Sequence, residues 1–216
     1  MLPCIIGDYT RLVNEKKGAQ TLDYAQRRKL QSQETERKIL YAALDLMRER
    51  GFEKVSVRDI CKAAGITTGA FYHHFSSKEA LLEHGFTPLD DYIRGVLEGV
   101  GGESPDQRLW RLLAAYGQFM EHSGELIGRY YQQRIAEPGT KSMDPSRYTY
   151  RAMVECFRQA EQEGILAPGH SPEWIAGFCF RHFRGVVVDW VLDGYSYPLL
   201  PKMEEDFRLF VTLFHA

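Results

Sequence analysis

An all-α fold of about nine or ten helices is what the 216 residues predict. Three observations carry that reading. Apolar residues recur at helical spacing along the chain, no window alternates as a strand does, and helix start and stop signals punctuate nearly every segment.

The elements follow in order. Ile39, Ala42, Ala43, Leu46 and Met47 mark the inner face of a first helix over about 34–50, stopped by Gly51. Ser56, with Asp59 three positions on, opens a short helix over 57–64 that turns Val57, Ile60, Cys61 and Ala64 to one side. Gly65 supplies the tight connection, because glycine takes a left-handed conformation at little cost. Ile66 pins the turn, and Thr67 caps a second short helix over 68–74, where Phe71 and Phe75 share the inward face. Ser76 and Glu79 start a third helix through Leu81 and Leu82 toward His84. A break is expected at 85–88, where Thr87-Pro88 reads as a fresh start. Further helices are predicted from Ser104-Pro105 to about 122, over 125–136, from Asp144-Pro145 to Gly164, from Ser171-Pro172 to about 193, and from Pro201 to near His215.

Two short helices joined by a glycine turn make a helix-turn-helix, a compact way to set one helix into the major groove of DNA. The face opposite Phe71 and Phe75 offers Thr67, Thr68, Gly69, Tyr72 and His73, with His74 at its edge. Hydroxyls and imidazoles hydrogen-bond phosphate oxygens or base edges, and Gly69 lets backbone approach closely. The Lys78 ammonium beside the amides of the next helix start would suit a phosphate. Ser56 at its helix start joins these candidates.

Residues 34–84 resemble the DNA-binding domain of TetR-type (tetracycline-repressor-like) transcriptional regulators. The matching pieces are Ile39-Leu40-Tyr41-Ala42-Ala43, Arg50-Gly51-Phe52, Val57-Arg58-Asp59-Ile60, Ala64-Gly65-Ile66, Gly69-Ala70-Phe71-Tyr72 and His74-Phe75 through Lys78-Glu79. The resemblance implies a homodimer on a palindromic operator and a C-terminal helical bundle for ligand binding and dimerisation. It places Thr67, Thr68 and Gly69 near base edges, and Tyr72, His73 and Lys78 toward phosphates. The expected organisation is an N-terminal extension over 1–33, a three-helix DNA-binding domain over 34–84, and a ligand and dimerisation domain over 85–216. Lys16-Lys17 and Arg27-Arg28-Lys29 leave two readings of the extension open: a flexible or partly helical tail, or an arm adding contacts to the DNA backbone.

Charge distribution agrees. Residues 1–80 hold 14 Lys and Arg against 10 Asp and Glu, while residues 81–216 hold 13 against 19, for a net charge of −2. Four scattered cysteines, no secretory signal and no apolar run of membrane-spanning length point to the cytoplasm and away from a membrane. Cys179 with His182, and His73 with His74, lack a second half at ligand spacing, so neither a metal nor a cofactor is predicted. No nucleophile elbow, phosphate-cradling glycine loop or zinc-protease motif is present, which argues against an enzyme.

The C-terminal part is rich in aromatic residues. Tyr116, Phe119, Met120, Tyr131, Phe157 and Phe183, with His122, Gln132 or His182 as polar handles, are candidate walls of a cavity for a small apolar or aromatic effector. The last two helices are apolar on more than one face, which calls for a twin subunit as well as their own core. Phe178, Gly185, Val188, Phe207, Phe210 and Phe214 are the candidate dimer contacts. A ligand-responsive regulator, most often a repressor, is the leading reading. The alternative is a helical protein-interaction module whose helix-turn-helix serves as a scaffold.

Overall fold

Helix α1 (Tyr24–Arg50) begins ten residues before the expected start, and its buried face is Ile39, Leu40, Tyr41, Ala42, Ala43 and Met47. The reason lies in the run from Gln26 to Lys38, mostly strong helix formers that extend a helix without an apolar stripe. Residues 24–34 are accordingly exposed on every side. The computed structural model describes residues 24–84, 86–99, 101–136 and 143–215, so the extension before Tyr24, and Gly85, lie outside the described residues.

The chain divides into two units, Met1–Pro88 and Leu89–Ala216. In the first, α1 is followed by a single turn of 3-10 helix (Phe52–Lys54), then α2 (Val57–Ala64), α3 (Thr68–His74) and the four-residue α4 (Ala80–Glu83). Ser56 caps α2 in a reciprocal capping box with Asp59, and Gly65 ends it at φ 67°. Thr67 caps α3 by accepting from the Ala70 amide at 3.1 Å. Ser77, not the expected Ser76, accepts from the Ala80 amide at 3.2 Å. The residues between Phe75 and Ala80 form bends, so α4 is shorter than predicted.

Two contacts fix the direction of α1. Glu36 pairs with His84 at 3.3 Å, while Phe52, just past the C-terminal end, meets Lys78. Arg27, Arg28 and Lys29 therefore stand about 30 Å of helix from Arg50, at the end remote from Ser56.

The second unit comprises α5 (Phe86–Leu97, whose first turn holds the division), α6 (Pro105–Ser123), α7 (Glu125–Ala136), α8 (Tyr148–Gln162), α9 (Pro172–Leu192) and α10 (Leu199–Phe214). Thr87 and Pro88 fall inside the first turn of α5, where the missing proline N–H costs nothing. Capping by Ser104 with Gln107, and by Ser171, starts α6 and α9 where expected. Asp144 instead closes a turn onto Ser146, accepting from its amide at 2.9 Å, and α8 starts only at Tyr148. α10 starts at Leu199, ahead of the expected Pro201, because the Glu121 carboxylate on α6 accepts from the Leu199 and Leu200 amides at 2.7 and 3.3 Å. Leu112, Met120, Met153, Cys179, Phe183, Val187 and Met203 form the centre of this core. Leu166 and His215 make an isolated antiparallel bridge, and no longer strand occurs among the described residues. Among them, too, no helix is long and apolar enough to cross a membrane.

Gly128 on α7 lies close against Tyr195 and Val191. A Cβ there would sit 2.6 Å from the Tyr195 hydroxyl and 3.4 Å from Val191 Cγ1. Helix propensity alone favours alanine over glycine by about 1 kcal/mol. Overpacking costs about 1–3 kcal/mol and wins here, because Tyr195 is held against Trp190 with ring centroids 4.8 Å apart. Gly128→Ala is therefore expected to lower the melting temperature in a thermal scan, and a rise would show that Tyr195 swings aside freely.

Candidate functional site

The surface of α3 is split cleanly by burial. Phe71 is 0% and Phe75 2% exposed, whereas Tyr72 is 58% exposed. Thr67, Thr68, Gly69 and His73 are exposed with Tyr72, and His74 is half-buried at the edge. Phe71 and Phe75 pack with ring centroids 5.8 Å apart, and Tyr72 meets Phe71 edge-on at 5.4 Å. The buried pair thus fixes the rotation of the helix, and the outward groups follow from it.

Gly69 has no internal reason to lack a side chain. A Cβ would meet only Thr67 Oγ1, at 3.8 Å, an ordinary contact. Its bareness leaves the backbone uncovered on the exposed side of α3.

The two predicted capping hydroxyls are partly committed. Ser56 Oγ donates to Asp59 Oδ2 at 2.5 Å and accepts from the Asp59 amide at 3.2 Å. The Ser56 hydroxyl and the Ser56 amide, which donates to the same oxygen at 3.0 Å, hold the Asp59 carboxyl below the usual carboxylate range. Ser56 therefore acts first as a cap that orients the amides of α2, not as a free hydroxyl.

Lys78 departs most from its expected role. Its Nζ donates to the Phe52 carbonyl at 2.8 Å and lies 4.3 Å from the Phe52 ring centroid. The half-buried ammonium ties the end of α1 to the start of α4, and the predicted phosphate site beside it rests on a helix of only four residues. Phe52, the other half of this tie, was not singled out in the sequence because only tertiary structure brings it near Lys78.

The predicted effector residues do not form one pocket. Tyr116 and Phe183 line a void of about 10 Å³ together with Leu112, Leu113, Thr149, Met153 and Phe180, space for at most one water. Phe119, Met120 and Phe157 are core residues. His122 and His182 are exposed, and His182 faces Asp206 at 3.1 Å. Gln132 is also exposed. Tyr131 is half-buried with its hydroxyl directed inward, shielded and without a hydrogen-bond partner. An open groove of about 540 Å³ lies between Val96, Trp110, Arg111 and Gln118, and none of the predicted residues lines it.

The predicted dimer residues also separate. Phe178 is exposed, Gly185 has open space where a Cβ would stand, and Val188 and Phe214 are half-buried. Phe207 packs against Trp110 with ring centroids 5.1 Å apart. Phe210 is 3% exposed, surrounded by Phe157, Phe178, Phe183 and Phe214, so it belongs to the subunit's own core. On α9 and α10 the large apolar side chains that reach solvent are Trp174, Phe178, Leu192, Leu209 and Leu213.

Similarity to known proteins follows the same division. A family model described as "Bacterial regulatory proteins, tetR family" matches residues 39–84. The HTH-type transcriptional repressor KstR2 of Mycobacterium tuberculosis is 28% identical over 169 residues, covering 72% of this chain and 80% of that repressor. The HTH-type transcriptional regulator UidR of Escherichia coli is 45% identical over 53 residues, covering 24% of this chain and 27% of its own length. The crystal structure of the regulatory protein TetR from Rhodobacter sphaeroides superposes with a TM-score of 0.53 at 25% identity, covering 82% of this chain and 97% of that one. Over residues 39–84 the chain thus matches the tetR family of bacterial regulatory proteins, and the helical unit behind that match is similar to those of bacterial transcriptional regulators.

Proposed function

We propose that the protein binds a palindromic operator as a homodimer, represses transcription there, and is released by a small effector with an apolar or aromatic body. The single observation behind this is the outward face of α3, with Thr67, Thr68, Gly69, Tyr72 and His73 exposed while Phe71 and Phe75 anchor it. Support for repression comes from the likeness to KstR2, a repressor by name. Two α3 helices of a dimer would enter successive major grooves about 34–36 Å apart, which is why an operator would be palindromic. Effector binding would favour an arrangement that does not fit that spacing, and needs different affinities for the two states to do so. A protein that works on DNA in this way acts in the cytoplasm.

An electrophoretic shift of the DNA upstream of the protein's own gene tests the proposal. A retarded band at low salt that weakens steeply as salt rises is the expected result. No shift at low salt overturns it.

A further inference from the structure

The polar groups on one side of the void at Tyr116 carry information about what enters there. Tyr131 on α7 turns its hydroxyl inward, out of reach of water, with the Tyr116 hydroxyl as its polar neighbour and no acceptor for its own proton. Burial, then the neighbouring Tyr131 phenol, push the Tyr116 hydroxyl well above the usual phenol range, so both phenols are donors at any physiological pH. The cations within electrostatic reach of Tyr116, Tyr130 and Tyr131 are Arg184, Arg147 and Arg134. The nearby carboxylate of Asp90 is already engaged: it accepts from Arg147 Nε at 3.0 Å, and from the Thr149 amide and hydroxyl at 3.1 and 2.5 Å. Arg184 reaches the void's wall directly, its guanidinium 5.4 Å from the centroid of Phe180. The apolar seam and the donor cluster thus meet at Tyr116 and Phe180.

Resting on the effector-responsive reading above, we propose that this seam between α6, α8 and α9, with Tyr131 of α7 beside Tyr116, takes an amphiphilic carboxylate. Its acid group is held by the Tyr131 and Tyr116 hydroxyls and the Arg184 guanidinium, and its apolar body parts Leu112, Met153 and Phe183. A carboxylate supplies the acceptor that the shielded Tyr131 hydroxyl lacks, in a place where the Arg184 guanidinium lies within electrostatic reach of the phenol. A neutral alkyl or aryl compound would fill the seam and leave the hydroxyl unpartnered. The void is too small for any such molecule as it stands, so entry must move α6 against α8 and α9. That movement is what an effector needs in order to be felt elsewhere.

The test uses matched pairs: dodecanoic and phenylpropanoic acids, each against its methyl ester and primary alcohol, read by thermal shift and by direct titration on the full-length protein. Acids are expected to raise the melting temperature and to bind at least about tenfold more tightly than their neutral partners. Arg184→Gln is expected to weaken acid binding by about tenfold while leaving the neutral compounds unaffected, with Arg184→Lys retaining part of it. Tyr131→Phe should weaken the acids by a smaller factor. Esters or alcohols that bind as well as the acids overturn the proposal on the unmodified protein alone, and so does the absence of acid binding. An acid that binds through Arg184 but leaves operator affinity unchanged supports this site and counts against the effector role. An ester that releases operator as well as its acid does the reverse.

Discussion

Phe71→Ala is expected to destabilise the N-terminal unit by about 3–5 kcal/mol, whereas Tyr72→Ala, one residue later, leaves stability within about 0.5 kcal/mol. The difference follows from burial. Phe71 is 0% exposed, touches Phe75 and Tyr72 by ring contacts, and leaves a cavity when truncated, while Tyr72 is 58% exposed. A cost of this size is comparable to the whole stability of many small domains, so Phe71→Ala should abolish operator binding by melting the helix that carries it. Tyr72→Ala should also weaken operator binding, by at least about tenfold, but with unfolding unchanged, since a phenol that donates to phosphate is lost without loss of packing. Urea titration followed by circular dichroism, alongside gel shift on the same samples, separates the two. Equal operator affinity for Tyr72→Ala and the parent would remove the exposed face of α3 from DNA recognition.

How far this could be read from residues alone depended on whether the signal was local. Ser56 and Thr67 accept from amides three residues on, and the Gly65 amide donates to the Lys62 and Cys61 carbonyls, so α2 and α3 were legible to the residue. The start of α1 was not, because the apolar period begins only at Ile39 while the polar stretch from Tyr24 is helical by propensity. Asp144 before Pro145 has the form of a helix start, yet its carboxylate satisfies Ser146 instead, an equally good use that sequence does not rank. Glu121 capping α10 and Lys78 gripping Phe52 join residues 78 and 26 positions apart, and no spacing rule reaches that far. In the C-terminal unit the difficulty was of another kind. Helices α9 and α10 are apolar around more than one face, so the pattern says that two surfaces are covered without saying which residue faces which. Phe210 and Leu209 show it: adjacent and both apolar, one is 3% and the other 64% exposed. Tyr131 likewise reads as one more aromatic, and only its shielded hydroxyl singles it out.

Leu209 and Leu213 supply the sharper test of assembly. They stand four residues apart on α10 and are 64% and 63% exposed, next to a surface that continues through Phe214 to Phe178 at 5.7 Å and on to Trp174, stacked on Phe178 at 5.7 Å. In a single subunit, aspartate at both positions costs little, because neither side chain contributes much buried area. In a two-fold dimer that covers this face each substitution counts twice, and each fully buried leucine is worth roughly 1.5–3 kcal/mol. Four lost leucines and four introduced charges exceed what an interface of ordinary strength withstands. The double variant L209D/L213D is therefore expected to be a folded monomer at micromolar concentration by light scattering, with helical content and urea midpoint of the C-terminal unit close to those of the parent monomer. Operator affinity should fall by about 10²–10⁴, the gain that comes from linking two recognition helices, while binding to a single half-site is retained. Phe210→Ala is the control with the opposite signature: its ring is enclosed by Phe157, Phe183 and Phe214 within the subunit, so it should lower stability before it changes association. A dimer that survives both aspartates would mean that the subunits join through another face, and the operator spacing inferred from two α3 helices would have to be derived anew.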